Sequence, residues 1–303
     1  MRIVVAGLGR MGTQIARKLV EGGHEVIVHN RSREPIDAAI KFGAKPAYKK
    51  TDALKSFANE QLVVWLMVPA DVVDGQLDEW LKLLPKSSII IDGGNSDFRL
   101  TQKRLELVVS KGSILLDCGT SGGVWGYKNG FCMMAGGDKT AFDAVEPILK
   151  TLSAPNGGYQ YFGESGSGHF VKMVHNAIEY GMMQSLADGY LILKEGPYKN
   201  LNLGNAGNVW QSSSVITSWL NQLAAKALAE NPKMEGVEGI VAETGEARWT
   251  LEVAREMGIP MPAVQAAFDV RIASQKGKIN YGTKLLAAIR NKFGGHEINP
   301  KTD

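Results

Sequence analysis

Six residues near the start of the chain, Gly7-Leu8-Gly9-Arg10-Met11-Gly12, restrict its fold more than any other segment. They follow a short β-branched run, Arg2–Ala6, and open a window of helical periodicity, which puts the glycines at a strand-to-helix turn. Each glycine then has its own task. Gly7 permits the tight turn, Gly9 lets backbone approach a pyrophosphate, and Gly12 lets helix pack on strand, while the helix N-terminus faces the phosphates. A second strand pattern at Glu25–His29 completes the unit. The segment predicts a dinucleotide site of Rossmann type, contacted along the whole loop from Gly7 to Gly12.

The end of the second strand should read the ribose, and here it carries His29-Asn30-Arg31-Ser32 without a carboxylate. A carboxylate would bond the free 2′-hydroxyl of NAD, whereas an arginine with amide and hydroxyl neighbours suits a 2′-phosphate. NADP is the expected cofactor, with Asn30, Arg31 and Ser32 as its contacts, and NAD the alternative.

Further strand patterns at Leu62–Met67, Ser88–Ile91, Ser113–Asp117 and Phe131–Ala135 alternate with amphipathic helical windows. This is the pattern of a doubly wound, mostly parallel sheet. After Gly163-Glu164-Ser165-Gly166-Ser167-Gly168 the strands stop. A long helix is expected from His169 to about Lys194, followed by helical windows near 210–230, 243–257, 262–276 and 282–292 and a polar, extended tail from Gly294. The expected organisation is an α/β Rossmann domain over 1–165 and an all-α domain over 166–303 for substrate binding and oligomerisation, with a ligand cleft where the two meet.

Composition removes several classes. The longest apolar runs fall short of the roughly 18 residues of a membrane span. No signal-peptide pattern opens the sequence, so a soluble, cytoplasmic protein is expected. A net charge of +3, with 34 basic residues spread along the chain, offers no basic stripe for nucleic acid. Cys118 and Cys132 lie in apolar stretches without metal-ligand spacing; both are expected to be buried, reduced thiols, and no metal is expected.

Three turns follow strand patterns at the edge where open α/β sheets bind ligands: Val68-Pro69-Ala70, Asp92-Gly93-Gly94-Asn95-Ser96 and Thr120-Ser121-Gly122-Gly123. Val68, Pro69, Ala70 and Asn95 are candidates for the cofactor. Glycine pairs beside Asn95 and Ser121 expose N–H groups that suit a carboxylate or the nicotinamide amide. In the long helix, Lys172, His175, Asn176 and Glu179 stand at i, i+3, i+4 and i+7 and share one face, with Phe170, Val171, Val174 and Ile178 expected to cover the opposite one.

From the glycine loop through Asn30-Arg31-Ser32, Ile91–Ser96, Ser121-Gly122-Gly123 and the Gly168–Tyr180 helix, the chain resembles 6-phosphogluconate dehydrogenase, the decarboxylating enzyme, in its shorter form. The likeness recurs in Arg248-Trp249-Thr250, Phe268–Arg271 and Arg290–His296. It implies oxidation of 6-phospho-D-gluconate to D-ribulose 5-phosphate and carbon dioxide, within pentose-phosphate metabolism and gluconate use. Lys172 is then the base that takes the C3 hydroxyl proton and later returns one to the carbonyl oxygen, and Glu179 the acid that protonates C1. Asn95, Ser121, Gly122, Gly123, His175 and Asn176 would hold the carboxylate and hydroxyls. Tyr180, Arg248, Thr250 and Arg271 would hold the phosphate. Arg290 and His296 match tail residues that reach a neighbouring subunit's site, which implies a homodimer or homotetramer.

Two residues depart from the longer members of the family, Pro69 and Arg248 standing where those carry lysine, and with about 130 residues after the glycine-rich boundary their second helical repeat is expected to be absent. Within the same fold, a β-hydroxyacid dehydrogenase of the 3-hydroxyisobutyrate type would share the glycine loop, the Ser-Gly-Gly turn and a catalytic lysine. It has no need of Arg271, Arg290 and His296. A non-catalytic dinucleotide-binding protein would need neither Lys172 nor Glu179.

Overall fold

A computed structural model describes residues 1–55, 57 and 61–298; the end of the expected tail, residues 299–303, lies outside the described residues. The chain divides into two compact units, residues 1–173 and 174 onward.

The first unit holds strands β1 (Arg2–Ala6), β2 (Glu25–His29), β3 (Lys45–Ala47), β4 (Val63–Leu66), β5 (Ile89–Asp92), β6 (Ile114–Ser121), β7 (Cys132–Gly137) and β8 (Tyr159–Tyr161). Their order in one sheet is β3-β2-β1-β4-β5-β6-β7-β8. Neighbours from β3 to β6 are parallel, and β7 runs antiparallel to β6. Both faces are buried, as crossover helices require. Successive side chains of β1 divide between them: Ile3 and Val5 join one core cluster, Val4 and Ala6 the other. The helices of this unit are α1 (Arg10–Glu21), α2 (Arg33–Ile40), α3 (Lys50–Leu54), α4 (Val73–Leu81), α5 (Phe98–Ser110), α6 (Gly126–Asn129) and α7 (Lys139–Leu152). Order reverses between β1 and β4, and the Gly7–Gly12 loop leaves β1 at that switch point.

Helix α8 (Ser167–Glu195) begins in the first unit and continues into the second. There α9 (Leu203–Ser213), α10 (Trp219–Glu230), α11 (Glu246–Glu256), α12 (Pro262–Gln275) and α13 (Tyr281–Gly294) follow. The window expected as one helix over 210–230 is two. Ser214 and Thr217 turn their hydroxyls back onto the Trp210 carbonyl, and Ser218 then caps α10 by accepting from Asn221 N at 3.1 Å. Hydroxyl side chains that compete for backbone groups stop a helix and start the next. The tail also differs from an extended arm at its start. Gly295 ends α13 in the left-handed region, φ +62°, and Asn291 Nδ2 donates to the His296 carbonyl, folding the chain back on its own helix.

Candidate active site

At the glycine loop, crowding and openness alternate. A Cβ on Gly7, where φ is +101°, would lie 2.4 Å from the Met67 carbonyl, and one on Gly12 would lie 2.0 Å from the Gly7 carbonyl. A Cβ on Gly9 would meet nothing within 4 Å. Gly9 is also the N-cap of α1, makes no side-chain cap, and the first turn holds no acid. An open cradle at an uncapped helix N-terminus fits a pyrophosphate, whose oxygens accept from those N–H groups. Asn30 braces this loop, its Oδ1 accepting from Leu8 N at 3.0 Å while its Nδ2 donates to the Ser32 carbonyl. Arg31 and Ser32 are exposed at the end of β2.

Two more turns are tied together by a residue that motif reading passed over. Arg104, buried on α5, donates from Nη1 to Asp92 Oδ2 at 3.2 Å and to Ser96 Oγ at 2.8 Å, and from Nη2 to the Ala70 carbonyl at 3.2 Å. Its Nε reaches Asp74 Oδ1 at 2.5 Å. Asp92, fully buried at the end of β5, also accepts from Gly94 N and Ser96 Oγ. One guanidinium thus holds both the Val68–Ala70 turn and the Asp92–Ser96 turn that presents half-buried Asn95. Pro69 is exposed.

Lys172 is only 4% exposed. Its stem lies on β6, where a Cβ on Gly119 would come within 2.3 Å of the Lys172 Cβ. Buried Asp117 of the same strand accepts from Gly166 N at 2.7 Å and His169 N at 2.9 Å and so caps the first turn of α8. Strand β6 ends in the Ser121-Gly122-Gly123 turn, with φ +125° and +51° at the two glycines, conformations that side chains rarely adopt. Lys172, Ser121, Gly122 and Gly123 are therefore anchored by one strand. Of the two cysteines, Cys118 is buried, and burial pushes its thiol up to about 12; Cys132, the first residue of β7, is exposed, against expectation.

In the second unit α8 presents its polar face inward. Tyr180 is buried, His175, Asn176 and Glu179 are half-buried, and Ile178, expected on a covered apolar face, is 53% exposed. Around Tyr180 the structure gathers several of the expected residues. The Arg271 guanidinium lies 3.3 Å from the Tyr180 ring centre, and Tyr180 Oη accepts from Thr244 N at 3.3 Å. Arg271 and Arg290 are 2% and 7% exposed. Burial, reinforced by the positive charge of Arg290, pushes Arg271 down to about 10. Arg290 is lowered chiefly by burial, against the pull of Tyr180, Glu179 and Glu246. Arg290 lies inside α13, where Tyr180, Glu179 and Glu246 of its own chain act on its charge. His296 turns onto Phe293 of the same helix, ring centres 6.1 Å apart.

Arg248 is not drawn in: it is exposed, with Nε 3.3 Å from Glu243 Oε1. Thr250 is buried and donates to the Glu246 carbonyl. Glu246 itself, missed by sequence reading, is a buried carboxylate at the first position of α11 that accepts from Asn176 Nδ2 at 2.9 Å and from the Thr244 hydroxyl. Its one signal was an acid two residues before Arg248 in a segment the structure buries. Among the described residues no three His, Cys, Asp or Glu side chains converge as metal ligands, and no helix is long and apolar enough to cross a membrane.

Comparison with known proteins gives this arrangement a family. Residues 2–164 match the NAD binding domain of 6-phosphogluconate dehydrogenase, and residues 168–292 match the C-terminal domain of the same enzyme. The chain belongs to the 6-phosphogluconate dehydrogenase family. It is 36% identical over 305 residues to the NAD(+)-dependent, decarboxylating 6-phosphogluconate dehydrogenase of Haloferax volcanii, covering 100% of both chains. With the decarboxylating enzyme of Synechococcus elongatus it shares 33% identity over 95% of its own length but only 65% of that protein's. The Plasmodium falciparum 6-phosphogluconate dehydrogenase structure, described with NADP+ and with 6-phosphogluconate, superposes with a TM-score of 0.81 at 29% identity over 95% of this chain and 70% of that one. The chain is thus a short-form member of that family, a mostly parallel sheet followed by helices, as its sequence resemblance led one to expect.

Proposed function

We propose that the chain oxidises and decarboxylates 6-phospho-D-gluconate to D-ribulose 5-phosphate and carbon dioxide, with hydride passing to a nicotinamide dinucleotide. The observation that carries this reading is that two guanidiniums, Arg271 and Arg290, are both buried and that the charge of Arg290 bears on Arg271. Such a pair is costly without an anion, and its donor forks match phosphate oxygens. A 3-hydroxyisobutyrate-type substrate, with no phosphate, leaves it unexplained.

In this reading Lys172 takes the proton of the C3 hydroxyl as C3 loses its hydride, for which a bound nicotinamide dinucleotide would be the acceptor. The 3-keto acid then loses carbon dioxide, Lys172 protonates the carbonyl oxygen to give an enediol, and Glu179 protonates C1 of the enediol as Lys172 takes back the hydroxyl proton to leave the ketone. Burial suits the lysine to this role, since desolvation favours its neutral, basic form. Ser121, the N–H groups of Gly122 and Gly123, Asn95, His175 and Asn176 hold the carboxylate and hydroxyls; Tyr180, Thr250, Arg271 and Arg290 surround the phosphate, and Arg248 stands outside. Gly7–Gly12, the Val68–Ala70 turn and Asn95 would hold the dinucleotide.

NADP is the proposed cofactor, supported by exposed Arg31 and the lack of a carboxylate at the end of β2. NAD is the second reading, favoured by the NAD(+)-dependent Haloferax relative. Exposed Ile178, Met182 and Ile192 along α8 and Val209 on α9 support assembly as a homodimer or homotetramer.

The deciding experiment follows reduction of NADP and of NAD at the nicotinamide absorbance band with 6-phosphogluconate, gluconate and 3-hydroxyisobutyrate. Turnover of the phosphorylated acid with release of carbon dioxide is the expected result. Activity on 3-hydroxyisobutyrate alone would overturn the reading.

A further inference from the structure

Three side chains of the second unit form a chain whose protons can be placed from their chemistry. Glu246 accepts from Asn176 Nδ2 at 2.9 Å on one oxygen and from the Thr244 hydroxyl on the other. An ionised carboxylate only accepts, so Asn176 must turn its NH₂ group toward Glu246. Its carbonyl oxygen then faces the other way, and this Oδ1 lies 2.9 Å from His175 Nδ1. An amide oxygen also only accepts, so the hydrogen belongs on Nδ1. In the neutral ring the lone pair is therefore left at Nε2. Glu246 is 3% exposed, so its bonds to Asn176 and Thr244 are shielded from water.

We propose that Glu246 is a positioning residue that acts through Asn176 to fix His175 in its Nδ1–H tautomer, so that Nε2 accepts a hydrogen bond from a hydroxyl of the sugar acid. The hydroxyl contact rests on the substrate reading above; the tautomer does not. A lone pair at Nε2 welcomes a donor and opposes the carboxylate and phosphate oxygens of the same molecule, which only accept. His175 thereby reads the polyol stretch and helps set the substrate's register between the guanidinium cluster and the carboxylate end. Orienting partners that fix a ring's tautomer are the usual means of giving a histidine one role.

The test is a long-range ¹H–¹⁵N correlation spectrum of the full chain labelled with ¹⁵N-histidine at pH 8. Of the five histidines, the His175 signals are those lost in His175→Gln. The expected pattern is a pyrrole-type Nδ1 and a pyridine-type Nε2 in the wild-type protein, which requires no mutant to fold. In Glu246→Gln the new amide can donate to Asn176, which lets the asparagine turn over. The ring should then move toward the Nε2–H form, with the KM for 6-phosphogluconate raised about tenfold, equivalent to about 1.4 kcal/mol, and kcat changed less. A wild-type ring protonated at Nε2, or a Glu246→Gln protein with unaltered tautomer, overturns the assignment. An Nδ1–H ring in a protein that does not turn over 6-phosphogluconate would overturn the substrate reading and the hydroxyl contact, and leave the tautomer standing.

Discussion

The guanidinium carbon of Arg271 lies 3.3 Å from the centre of the Tyr180 ring, and both side chains are buried. Stacking fixes the plane of the fork before any ligand arrives, so little freedom remains to be lost on binding. Replacing Arg271 by methionine removes the charge and keeps most of the length. It should raise the KM for 6-phosphogluconate by one to three orders of magnitude, about 1.4–4 kcal/mol, with cofactor affinity nearly unchanged. Steady-state kinetics on Arg271→Met and Arg271→Lys check this. Lysine should recover only part of the loss, having no planar fork. A KM near the wild-type value in both variants would remove the phosphate from this cluster.

Gly9 and Gly12 make opposite predictions from one loop. A methyl on Gly9 meets open space, whereas one on Gly12 is driven to 2.0 Å from the Gly7 carbonyl. Gly9→Ala should fold with a wild-type melting temperature yet bind dinucleotide at least about tenfold more weakly, some 1.4 kcal/mol. Gly12→Ala should lose about 1–3 kcal/mol of stability or more, since backbone cannot yield as a side chain can. Thermal melts and cofactor titration separate the two. Normal cofactor affinity in Gly9→Ala would place the pyrophosphate elsewhere.

Strand β6 leaves room for Lys172 only because position 119 is glycine. A Cβ there would lie 2.3 Å from the lysine's own Cβ. Gly119→Ala should therefore cost about 1–3 kcal/mol and displace the amine, cutting kcat while cofactor still binds. Lys172→Met, by contrast, should retain cofactor affinity and abolish hydride transfer. Full turnover by Lys172→Met would refute the assigned base.

Much of this was legible in the sequence because a period or a forced backbone shape announced it. Six strands of the sheet show as β-branched runs, and the Gly7–Gly12 loop as a steric requirement. The two strands that did not show, β3 and β8, are three-residue pieces at the edges of the sheet, and β3 contains Pro46, which only an edge tolerates. Spacing put Lys172, His175, Asn176 and Glu179 on one face of α8 but could not say which face would be buried. Ile178 reads as core by type and is exposed, since apolarity alone does not tell a core from a surface awaiting a partner. Arg104 and Glu246 were invisible for a different reason. Each acts through partners dozens of positions away, such as Asp74 and Asn176, and no local pattern encodes such pairing.

Acid should weaken one edge of the sheet in a defined window. Glu25 accepts from Arg2 at 2.8 Å and Lys45 at 2.5 Å, and these partners hold its carboxyl near 2. The folded value lies below the unfolded value of about 4.3, so the unfolded chain takes up protons first as pH falls. The contribution is fully present above about pH 4.3 and is lost as pH falls toward 2. Because the three side chains are partly exposed, screening limits it to less than about 1 kcal/mol. Denaturant unfolding at about pH 5 and pH 2 should show Glu25→Gln losing less stability than wild type across that interval. Parallel losses would show that the pair contributes nothing.

Arg104 unites two turns from beneath, and its removal should be felt in stability and in cofactor binding together. Asp92 is fully buried with the guanidinium 3.2 Å away, whereas Asp74, at the other end of the fork, is 66% exposed. Removing a partner from a buried pair leaves an uncompensated carboxylate, a loss of about 3–5 kcal/mol; an exposed pair contributes less than about 1 kcal/mol. Arg104→Met should therefore lower the melting temperature severely, while Asp74→Asn barely moves it. Arg104→Lys restores the charge but cannot serve Asp92, Ser96 and the Ala70 carbonyl at once, so it should recover fold more than function. The expected signature in Arg104→Lys is a raised KM for dinucleotide at nearly normal stability, because the Val68–Ala70 turn loses its tether. If lysine restores stability and cofactor KM alike, Arg104 supplies only charge and positions nothing.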